Sequence, residues 1–394
     1  MQSSKEVGIS QAALMGRYIA QTGIAFEALF MGRKRSDGDG GDIIEHEISM
    51  PPQVVGILDR IGLLEIIFGL ISAFALYRLL GKRGFDVIIF DTGISAFIFM
   101  VLGGFRRSII VLEDGGPLYE SMIFVGMGIR RYLTIKVSEI CKRVVLRRVA
   151  GVILKGSQQF ASQMIQRFNI ESKTLVCAAG IETRVFMPGP SLLKEKLGIG
   201  TAPLVLVVGG IEPRKNQLTI VQALPEILQS FPDTVLVFLA NGRASGYYRE
   251  FLSEIVNLGL QRHVIIDKPA DDLDTLSEYF RAADVFVLVS FAEGLSRALL
   301  MAMSSGTAII ASDIPENREV SRQQDEILYV NPSDTQGISN AVASLLADDA
   351  RRKRMGNVVR RTARECYDLE MLAELKVKFY SELKAARGNC DSKR

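Results

Sequence analysis

The sequence is poor in the residues on which several common kinds of active site depend. Its 394 residues include no tryptophan and two histidines, His46 and His263. A histidine-rich metal site is therefore excluded, and a Ser-His-Asp triad would have two candidate bases, neither near a nucleophile motif. The four cysteines have spacings that match no zinc or disulfide pattern; they are Cys141, Cys177, Cys366 and Cys390. Scattered thiols of this kind are typical of a reducing cytoplasm, so we expect a cytoplasmic protein.

The sequence also lacks a long uncharged apolar run, although its mean hydropathy of +0.20 is high. The best candidate for a membrane span, Ile61–Leu80, carries Glu65 and Arg78. The uncharged part between them is shorter than the roughly 20 residues that a span needs. Val87–Gly104 is interrupted by Asp91. We expect a buried helix and a buried strand-loop-helix here; contact with a membrane surface and a true span are the alternatives.

Basic residues are concentrated in the first half of the chain. Residues 1–190 hold 22 basic and 17 acidic residues, whereas residues 191–394 hold 25 and 27. Within Tyr132–Leu154 the basic residues interleave with aliphatic ones; they are Lys136, Lys142, Arg143, Arg147 and Arg148. This pattern favours an ordinary helix with a solvated basic face, and peripheral contact with an anionic membrane is the alternative. No nucleic acid partner is expected, because no recognition motif accompanies the charges.

Short apolar runs alternate with helical patterns along the second half, which predicts a parallel, doubly wound sheet. The predicted strands are Leu204–Val208, Thr234–Ala240, Val264–Asp267, Val285–Ser290, Thr307–Ser312 and Ile327–Val330. The predicted helices are Gln217–Ser230, Tyr247–Leu258, Asp272–Ala283 and Arg297–Ser305. The first half alternates less regularly, with strands predicted at Ile24–Phe30, Asp86–Phe90, Ser108–Leu112, Gly151–Leu154 and Leu175–Ala178.

Met187–Gly200 contains two prolines and several glycines, so we place a linker there. The expected division is a domain at 1–188 and a domain at 189–394, both α/β. Ligands of two such domains bind in the cleft at the carboxyl ends of the strands, where helix N-termini point inward.

The segment Ser290–Glu319 carries the clearest functional pattern. A strand ends at Ser290, a tight turn holds Glu293 and Gly294, and Ser296 is placed to cap the helix that follows. A helix N-terminus suits phosphate, and Glu293 could accept hydrogen bonds from sugar hydroxyls. An ordinary strand-turn-helix of a parallel sheet is the alternative.

At these residues the sequence resembles the group 1 (family 4) retaining glycosyltransferases, which have the two-domain GT-B fold. In register with the pattern of that family are Ser290, Glu293-Gly294, Leu300, Ala302-Met303, Gly306 and Ala311-Ser312-Asp313. Further similarity lies in Val208–Asn216, Arg281–Val287 and Asn331-Pro332, and in Ala179–Glu182 with Phe186 and Pro188. The resemblance covers about residues 175–385 strongly and the preceding part weakly.

The resemblance implies two facing Rossmann-like domains with an interdomain cleft, the first on the acceptor side and the second for the nucleotide sugar. The last helix would cross back to the first domain. The implied function is retaining transfer of a sugar from a nucleotide sugar to a glycan or lipid-linked acceptor, in cell-envelope polysaccharide or glycolipid synthesis. The protein would act in the cytoplasm, with peripheral contact at the inner face of the membrane. No cofactor or metal is implied, because cations and helix dipoles stabilise the leaving diphosphate.

The resemblance also assigns roles to individual residues. Glu293 and Lys215 would be the catalytic residues, the first contacting donor-sugar hydroxyls and the second neutralising the departing diphosphate. The implied donor-binding residues are Gly8, Arg214, Gly294, Leu295, Ser296, Arg297 and Met301.

The chain departs from the family pattern at four places. The family's second glutamate, which holds the ribose, is Met301 here, and an arginine of the family is Gly210. The strand ending in Leu112–Gly115 lacks the usual histidine, and the first strand is predicted to be missing because seven mostly polar residues precede Gly8. Three explanations stay open: compensation by Arg297 or Arg214, a decayed nucleotide pocket, or an altered ligand. The alternative function is a catalytically impaired homologue that serves as a binding or partner subunit.

Overall fold

The computed structural model describes the chain in segments that fall into two compact units. The described residues are 15, 18, 19, 26–31, 43–48, 64–80, 85–104, 108–114, 129–240, 246–268, 272–323 and 326–391. One unit comprises the described residues from 179 to 369, and the other comprises those up to 178 together with 370–391. Each unit is built on a parallel sheet.

The unit formed by residues 179–369 contains a six-stranded parallel sheet. Its strands are β7 (Leu204–Val208), β8 (Val235–Leu239), β9 (Val264–Asp267), β10 (Val285–Leu288), β11 (Ala308–Ser312) and β12 (Leu328–Val330). Their spatial order is β12-β11-β10-β7-β8-β9. The order reverses between β7 and β10, since the chain builds outward from β7 on one side and from β10 on the other.

Helices alternate with these strands. They are α5 (Leu193–Lys196), α6 (Gln217–Ser230), α7 (Gly246–Asn257), α8 (Leu273–Ala282), α9 (Arg297–Ser305), α10 (Pro315–Arg318), α11 (Thr335–Ala347) and α12 (Asp349–Cys366). Alternate residues of β7 enter different cores: Leu204 and Leu206 belong to one hydrophobic cluster, Val205 and Val207 to the other. The sheet is thus buried on both faces, which explains why its strands read as continuous apolar runs.

The other unit is built on a four-stranded parallel sheet with strand order β3-β4-β5-β6. These strands are β3 (Val87–Phe90), β4 (Ile109–Asp114), β5 (Gly151–Leu154) and β6 (Thr174–Val176). Its helices are α1 (Leu64–Leu80), α2 (Gly93–Val101), α3 (Ile129–Arg148), α4 (Gln158–Phe168) and α13 (Leu369–Asp391). A separate parallel pair consists of β1 (Phe26–Met31) and β2 (Ile43–Ile48).

The last helix contributes directly to this second unit. Lys384 of α13 forms an ion pair with Asp86 at 2.9 Å. A Cβ atom added to Gly151 of β5 would lie 2.6 Å from Leu383, so helix and strand are in close contact. Helix α13, the last helix in the described part of the chain, therefore packs against the four-stranded sheet.

The division between the units falls before the predicted linker. Residues from 179 onward belong to the six-stranded unit, because the amide of Ile181 donates to the carbonyl of Tyr367 at 2.7 Å and the amide of Leu369 donates back to Ile181 at 3.0 Å. Phe186 packs edge-to-face on Phe280 in the core. Met187–Gly200, predicted as a linker, contains helix α5 and the buried Leu193. Proline and glycine mark turns within the unit here.

The predicted strand Gly151–Leu154 is confirmed as β5, and the basic stretch before it is a helix as far as Arg148. One further expectation is corrected in the four-stranded unit. Helix α1, predicted to be buried, exposes Leu70, Phe74 and Tyr77. Among the residues that the structure describes, no helix combines the length and the apolar character needed to cross a membrane.

Candidate functional site

Two loops meet where the strand order of the six-stranded sheet reverses. β7 and β10 are neighbours, and the loops that follow them leave the same edge of the sheet because the strands are parallel. The amide of Phe291, after β10, donates to the carbonyl of Arg214, after β7, at 2.9 Å. Such a reversal is where doubly wound sheets bind ligands.

The two loops are joined by a carboxylate held between two cations. Lys215 Nζ lies 2.6 Å from Glu293 Oε1, and Arg214 lies 3.4 Å from Glu293 Oε2. Arg214 also pairs with Glu212 at 2.8 Å and donates to the carbonyl of Ala292 at 2.8 Å. The structure therefore brings together Glu293, Lys215 and Arg214, all three of which the sequence singles out, and adds Glu212.

The environment of Glu293 keeps this carboxyl group ionised. Its side chain is 5% exposed, and burial by itself raises the pKa of a carboxyl group. The positive charges of Lys215 and Arg214 outweigh this effect, so the pKa of Glu293 is below its ordinary value. A buried carboxylate that stays charged can accept hydrogen bonds from hydroxyl groups without first losing a proton.

The position of Lys215 depends on the backbone of its loop. Gly209 has a φ of 144°, a conformation that strains other residues, and a Cβ atom there would lie 3.5 Å from Lys215 Cε. The loop then forms a 3-10 turn at Pro213–Lys215 and ends at Asn216, which is left-handed with a φ of 57°.

Asn216 is a positioning residue that sequence reasoning did not assign. Its buried side-chain amide donates to the carbonyl of Val289 at 3.2 Å and to the carbonyl of Pro332 at 2.7 Å, and its side-chain oxygen accepts from Thr219 at 2.7 Å. It thereby fixes the lysine loop to the chain just beyond β10 and β12. The signal available in the sequence was an asparagine that directly follows two cations at the end of Val208–Asn216.

Helix α9 begins beside Glu293 with a capped N-terminus. The Ser296 hydroxyl accepts from the amide of Leu299 at 3.4 Å. Gly294 is exposed, and a Cβ atom there would meet no atom within 4 Å. Leu295 packs against the hydrophobic core. An open backbone at a helix N-terminus is suited to an anionic ligand.

Arg297, the first residue of α9, is a cation without a counter-ion among the described residues. Its Nε atom is buried and has no hydrogen-bond partner there. Burial lowers the pKa of the guanidinium group from its ordinary value. A buried donor without a partner destabilises the folded state. An anion that accepts a hydrogen bond from Arg297 would therefore stabilise the protein.

The remaining predicted donor-binding residues occupy different surroundings. Met301 is 4% exposed and is part of the hydrophobic cluster beneath α9. Gly210, where the family has an arginine, leaves open space for a side chain. Gly8 lies outside the described residues. The donor contacts expected of Met301 and Gly8 stay predictions.

A second charged cluster lies at the carboxyl edge of the four-stranded sheet, where the family's histidine would stand. Glu113 of β4 forms an ion pair with Lys376 of α13, and Lys155 lies 3.5 Å away. Burial by itself raises the pKa of Glu113, but Lys376 and Lys155 outweigh it and the net pKa is lowered. The cluster fastens the last helix to this sheet edge.

The site at the six-stranded sheet contains three cations and two carboxylates, so it has one positive charge in excess. The cations are Arg214, Lys215 and Arg297, and the carboxylates are Glu212 and Glu293. One carboxylate is available for hydroxyl groups, and the cations and a helix N-terminus are available for phosphate oxygens. This combination fits a ligand that has both a polyhydroxylated part and a diphosphate.

The fold is GT-B, as comparison with solved structures shows. Sucrose-phosphate synthase from Thermosynechococcus elongatus matches with a TM-score of 0.75 at 20% identity, covering 95% of this chain and 92% of that chain. Residues 191–362 match the sequence model of the family described as "Glycosyl transferases group 1". The resemblance to group 1 glycosyltransferases is thereby confirmed over the part of the chain that carries the site.

Two curated relatives each match about half of this chain. A GDP-mannose-dependent alpha-(1-6)-phosphatidylinositol monomannoside mannosyltransferase of Mycolicibacterium smegmatis is 29% identical over 230 residues, covering 54% of this chain and 58% of that protein. A D-inositol 3-phosphate glycosyltransferase of Nocardia farcinica is 25% identical over 213 residues, covering 52% and 47%. The chain spans about half the length of the curated relatives it matches.

Proposed function

We propose that this chain is a glycosyltransferase that moves a hexosyl group from a nucleotide-sugar donor to a glycan or lipid-linked acceptor, with retention of configuration. The observation that carries the proposal is the carboxylate of Glu293, held 2.6 Å from Lys215 at the N-terminus of α9. The match of residues 191–362 to the group 1 family supports it.

In this proposal each charged group has one task. Glu293 accepts hydrogen bonds from the donor-sugar hydroxyls and orients the sugar. Lys215, Arg214 and the amides of α9 neutralise the diphosphate as the glycosidic bond to it breaks. Arg297 supplies the cation that Gly210 does not. The reaction as proposed uses these protein cations in place of a metal. The proposal also includes close approach of the loop backbone at Gly8 to the phosphates of the donor.

The relatives suggest a donor and an acceptor to try first. One relative is named for dependence on GDP-mannose and for a phosphatidylinositol monomannoside, and another for D-inositol 3-phosphate. We infer a GDP- or UDP-hexose donor, bound by the unit of residues 179–369, and an acceptor carried by a polyol or lipid headgroup on the other unit. Cell-envelope glycolipid or polysaccharide synthesis at the cytoplasmic side of the membrane would use such a reaction.

The test is release of nucleoside diphosphate from UDP-, GDP- and ADP-hexoses, with and without inositol phosphates and phospholipid acceptors. We expect one donor to be turned over, and Glu293→Gln to abolish turnover. Proton NMR of the product then gives the configuration of the new bond, and an inverted product would reject retention. Full activity in the Glu293→Gln variant would reject the proposal itself.

A second candidate function is a binding or partner subunit without turnover. It is favoured by Met301, which offers no polar atom equivalent to a ribose-binding carboxylate and is packed in the core. Under this alternative the chain melts cooperatively, no nucleotide raises its melting midpoint, and Arg297→Ala changes no ligand property. A saturable midpoint shift with one nucleotide would exclude a decayed pocket.

A further inference from the structure

Helix α9 places a cation and then a thioether on one of its sides. Arg297 and Met301 are four residues apart, so they lie on the same side of the helix about one turn from each other. Arg297 is the first residue of α9, and its Nε atom has no hydrogen-bond partner among the described residues. Met301 is 4% exposed and belongs to a hydrophobic cluster. A ligand that lies along this side of α9 therefore meets a positive charge first and an apolar surface second.

The order of these side chains matches the order of the groups in a nucleotide sugar. Under the proposed function, Glu293 contacts the transferred sugar, while Lys215 and Arg297 contact the diphosphate. The ribose is joined to the diphosphate on the side away from the transferred sugar. One turn of helix is roughly 5.4 Å long, which is comparable with the distance from a phosphate to the ribose that it carries. Met301 is therefore the residue of α9 beside which the ribose would lie.

A ribonucleotide brings two ribose hydroxyl groups, at C2′ and C3′, to this position. Helix α9 contains no acidic residue, and a thioether is a weak hydrogen-bond acceptor. The two carboxylates of the site are already ion-paired, Glu293 with Lys215 and Glu212 with Arg214. A hydroxyl group that loses its water against an apolar surface without gaining a partner weakens binding. A methylene group at C2′ would instead be stabilised by the same contact.

We propose that Met301 is a specificity-determining residue that favours a donor built on 2′-deoxyribose. The chain accordingly binds 2′-deoxyribonucleoside diphosphates more tightly than the matching ribonucleoside diphosphates. The inference rests on the proposed function and specifies the donor further. It departs from the ribonucleotide donors that the relatives suggest, because the side chain at position 301 of this chain is apolar. Met301 then alters the specificity of the pocket, whereas the partner-subunit alternative requires a pocket that binds no nucleotide.

The test is calorimetric titration of the full chain with pairs of nucleoside diphosphates that differ in one hydroxyl group. The pairs are UDP, GDP and ADP, each with its 2′-deoxy analogue. The readout is the ratio of the two dissociation constants within a pair, because the base and the diphosphate are common to both members. We expect the deoxy member of the pair that binds to be about tenfold tighter, since an apolar pocket rejects an added hydroxyl group only moderately.

Substitution of Met301 should reverse this preference. In Met301→Glu the carboxylate accepts hydrogen bonds from the ribose hydroxyl groups. It also lies one turn from Arg297, which offsets the cost of its burial. Met301→Gln is uncharged and similar in length, and it tests the same prediction should the charged variant not fold. In either variant the ribonucleotide should bind at least as tightly as its deoxy analogue, a change of about tenfold in the ratio.

Met355→Gln is the matched control. Met355 of α12 is 6% exposed and lies in the other hydrophobic cluster of the same unit. The variant therefore makes the same substitution at nearly equal burial, and the ratio should be unchanged.

The outcomes separate failure of this inference from failure of the proposed function. Equal or tighter binding of the ribonucleotide by the wild type would overturn the inference and leave the proposed function standing. A ratio that the substitutions of Met301 leave unchanged, or that Met355→Gln alters equally, would do the same. No binding of any nucleotide, by a chain that unfolds cooperatively, would overturn the proposed function together with the inference.

Discussion

Replacing Glu293 with glutamine tests the ion-pair network that joins the two loops of the site. At 2.6 Å and an effective dielectric constant of about 20, the attraction between Lys215 and Glu293 is about 6 kcal/mol. Most of this energy offsets the cost of removing both charges from water. The variant loses the attraction while Lys215 stays largely buried. We therefore expect it to lower the free energy of unfolding by about 3 kcal/mol.

Thermal unfolding measures this loss. A change of about 3 kcal/mol corresponds to a melting midpoint about 6 to 12 °C lower for a unit of this size. The difference depends on pH with a known sign. Because the folded-state pKa of Glu293 lies below its unfolded value, its contribution is complete above the unfolded pKa of about 4.3. It is lost as the pH falls through the lower, folded-state pKa. Wild type and variant should therefore converge in acid.

A matched control is the pair of Glu278 and Lys196, 2.9 Å apart in the same unit, whose side chains are 28% and 58% exposed. Glu278→Gln should change the free energy of unfolding by less than about 1 kcal/mol. The double variant Glu293→Gln with Lys215→Met should be more stable than the sum of its single losses, because it leaves no unpaired lysine. Equal effects of Glu293→Gln and Glu278→Gln, or strict additivity in the double variant, would refute this account.

Four further predictions concern charge and backbone. Arg297→Met removes a half-buried cation whose Nε has no hydrogen-bond partner among the described residues, so calorimetry should show weaker diphosphate binding, by about tenfold or more, with an unchanged or higher melting midpoint. Gly210→Arg has room for the side chain and should tighten diphosphate binding several-fold. By contrast Gly209→Ala, at a φ of 144°, should cost about 1 kcal/mol or more in chemical denaturation. Lys376→Met leaves Glu113 with one lysine and should cost about 2 kcal/mol by the same assay. Stronger binding after Arg297→Met, or a neutral Lys376→Met, would contradict the assigned roles.

Sequence patterns located the elements of the six-stranded unit well. Leu204–Val208 and Arg297–Ser305 have the predicted bounds. The strand is buried on both faces and therefore reads as an unbroken apolar run. The helix is marked at both ends, by the capping hydroxyl of Ser296 and by Gly306 with a φ of 69°. Local sequence is sufficient to predict the bounds of an element when the element is fully buried or when capping residues stand at its ends.

Contacts between segments that are distant in sequence could not be predicted from local sequence patterns. The pairing of Lys215 with Glu293 follows from the adjacency of β7 and β10, and periodicity does not specify strand order. The role of Asn216 depends on carbonyls that follow β10 and β12. Strand β2 was missed because Glu45 and Glu47 interrupt its apolar residues. Each of these features depends on neighbours that are remote in sequence.

The central claim is that Glu293, Lys215 and Arg297 form a working nucleotide-sugar site despite Met301. The most direct measurement is a thermal-shift titration of the wild-type chain and of Arg297→Ala with UDP, GDP, ADP and their hexose conjugates. A ligand that binds only the folded state raises the melting midpoint with the logarithm of its concentration. We expect a saturable rise of the wild-type midpoint with the nucleotides of one base, strongly reduced in Arg297→Ala. No rise with any of them, for a chain that melts cooperatively, would contradict the claim.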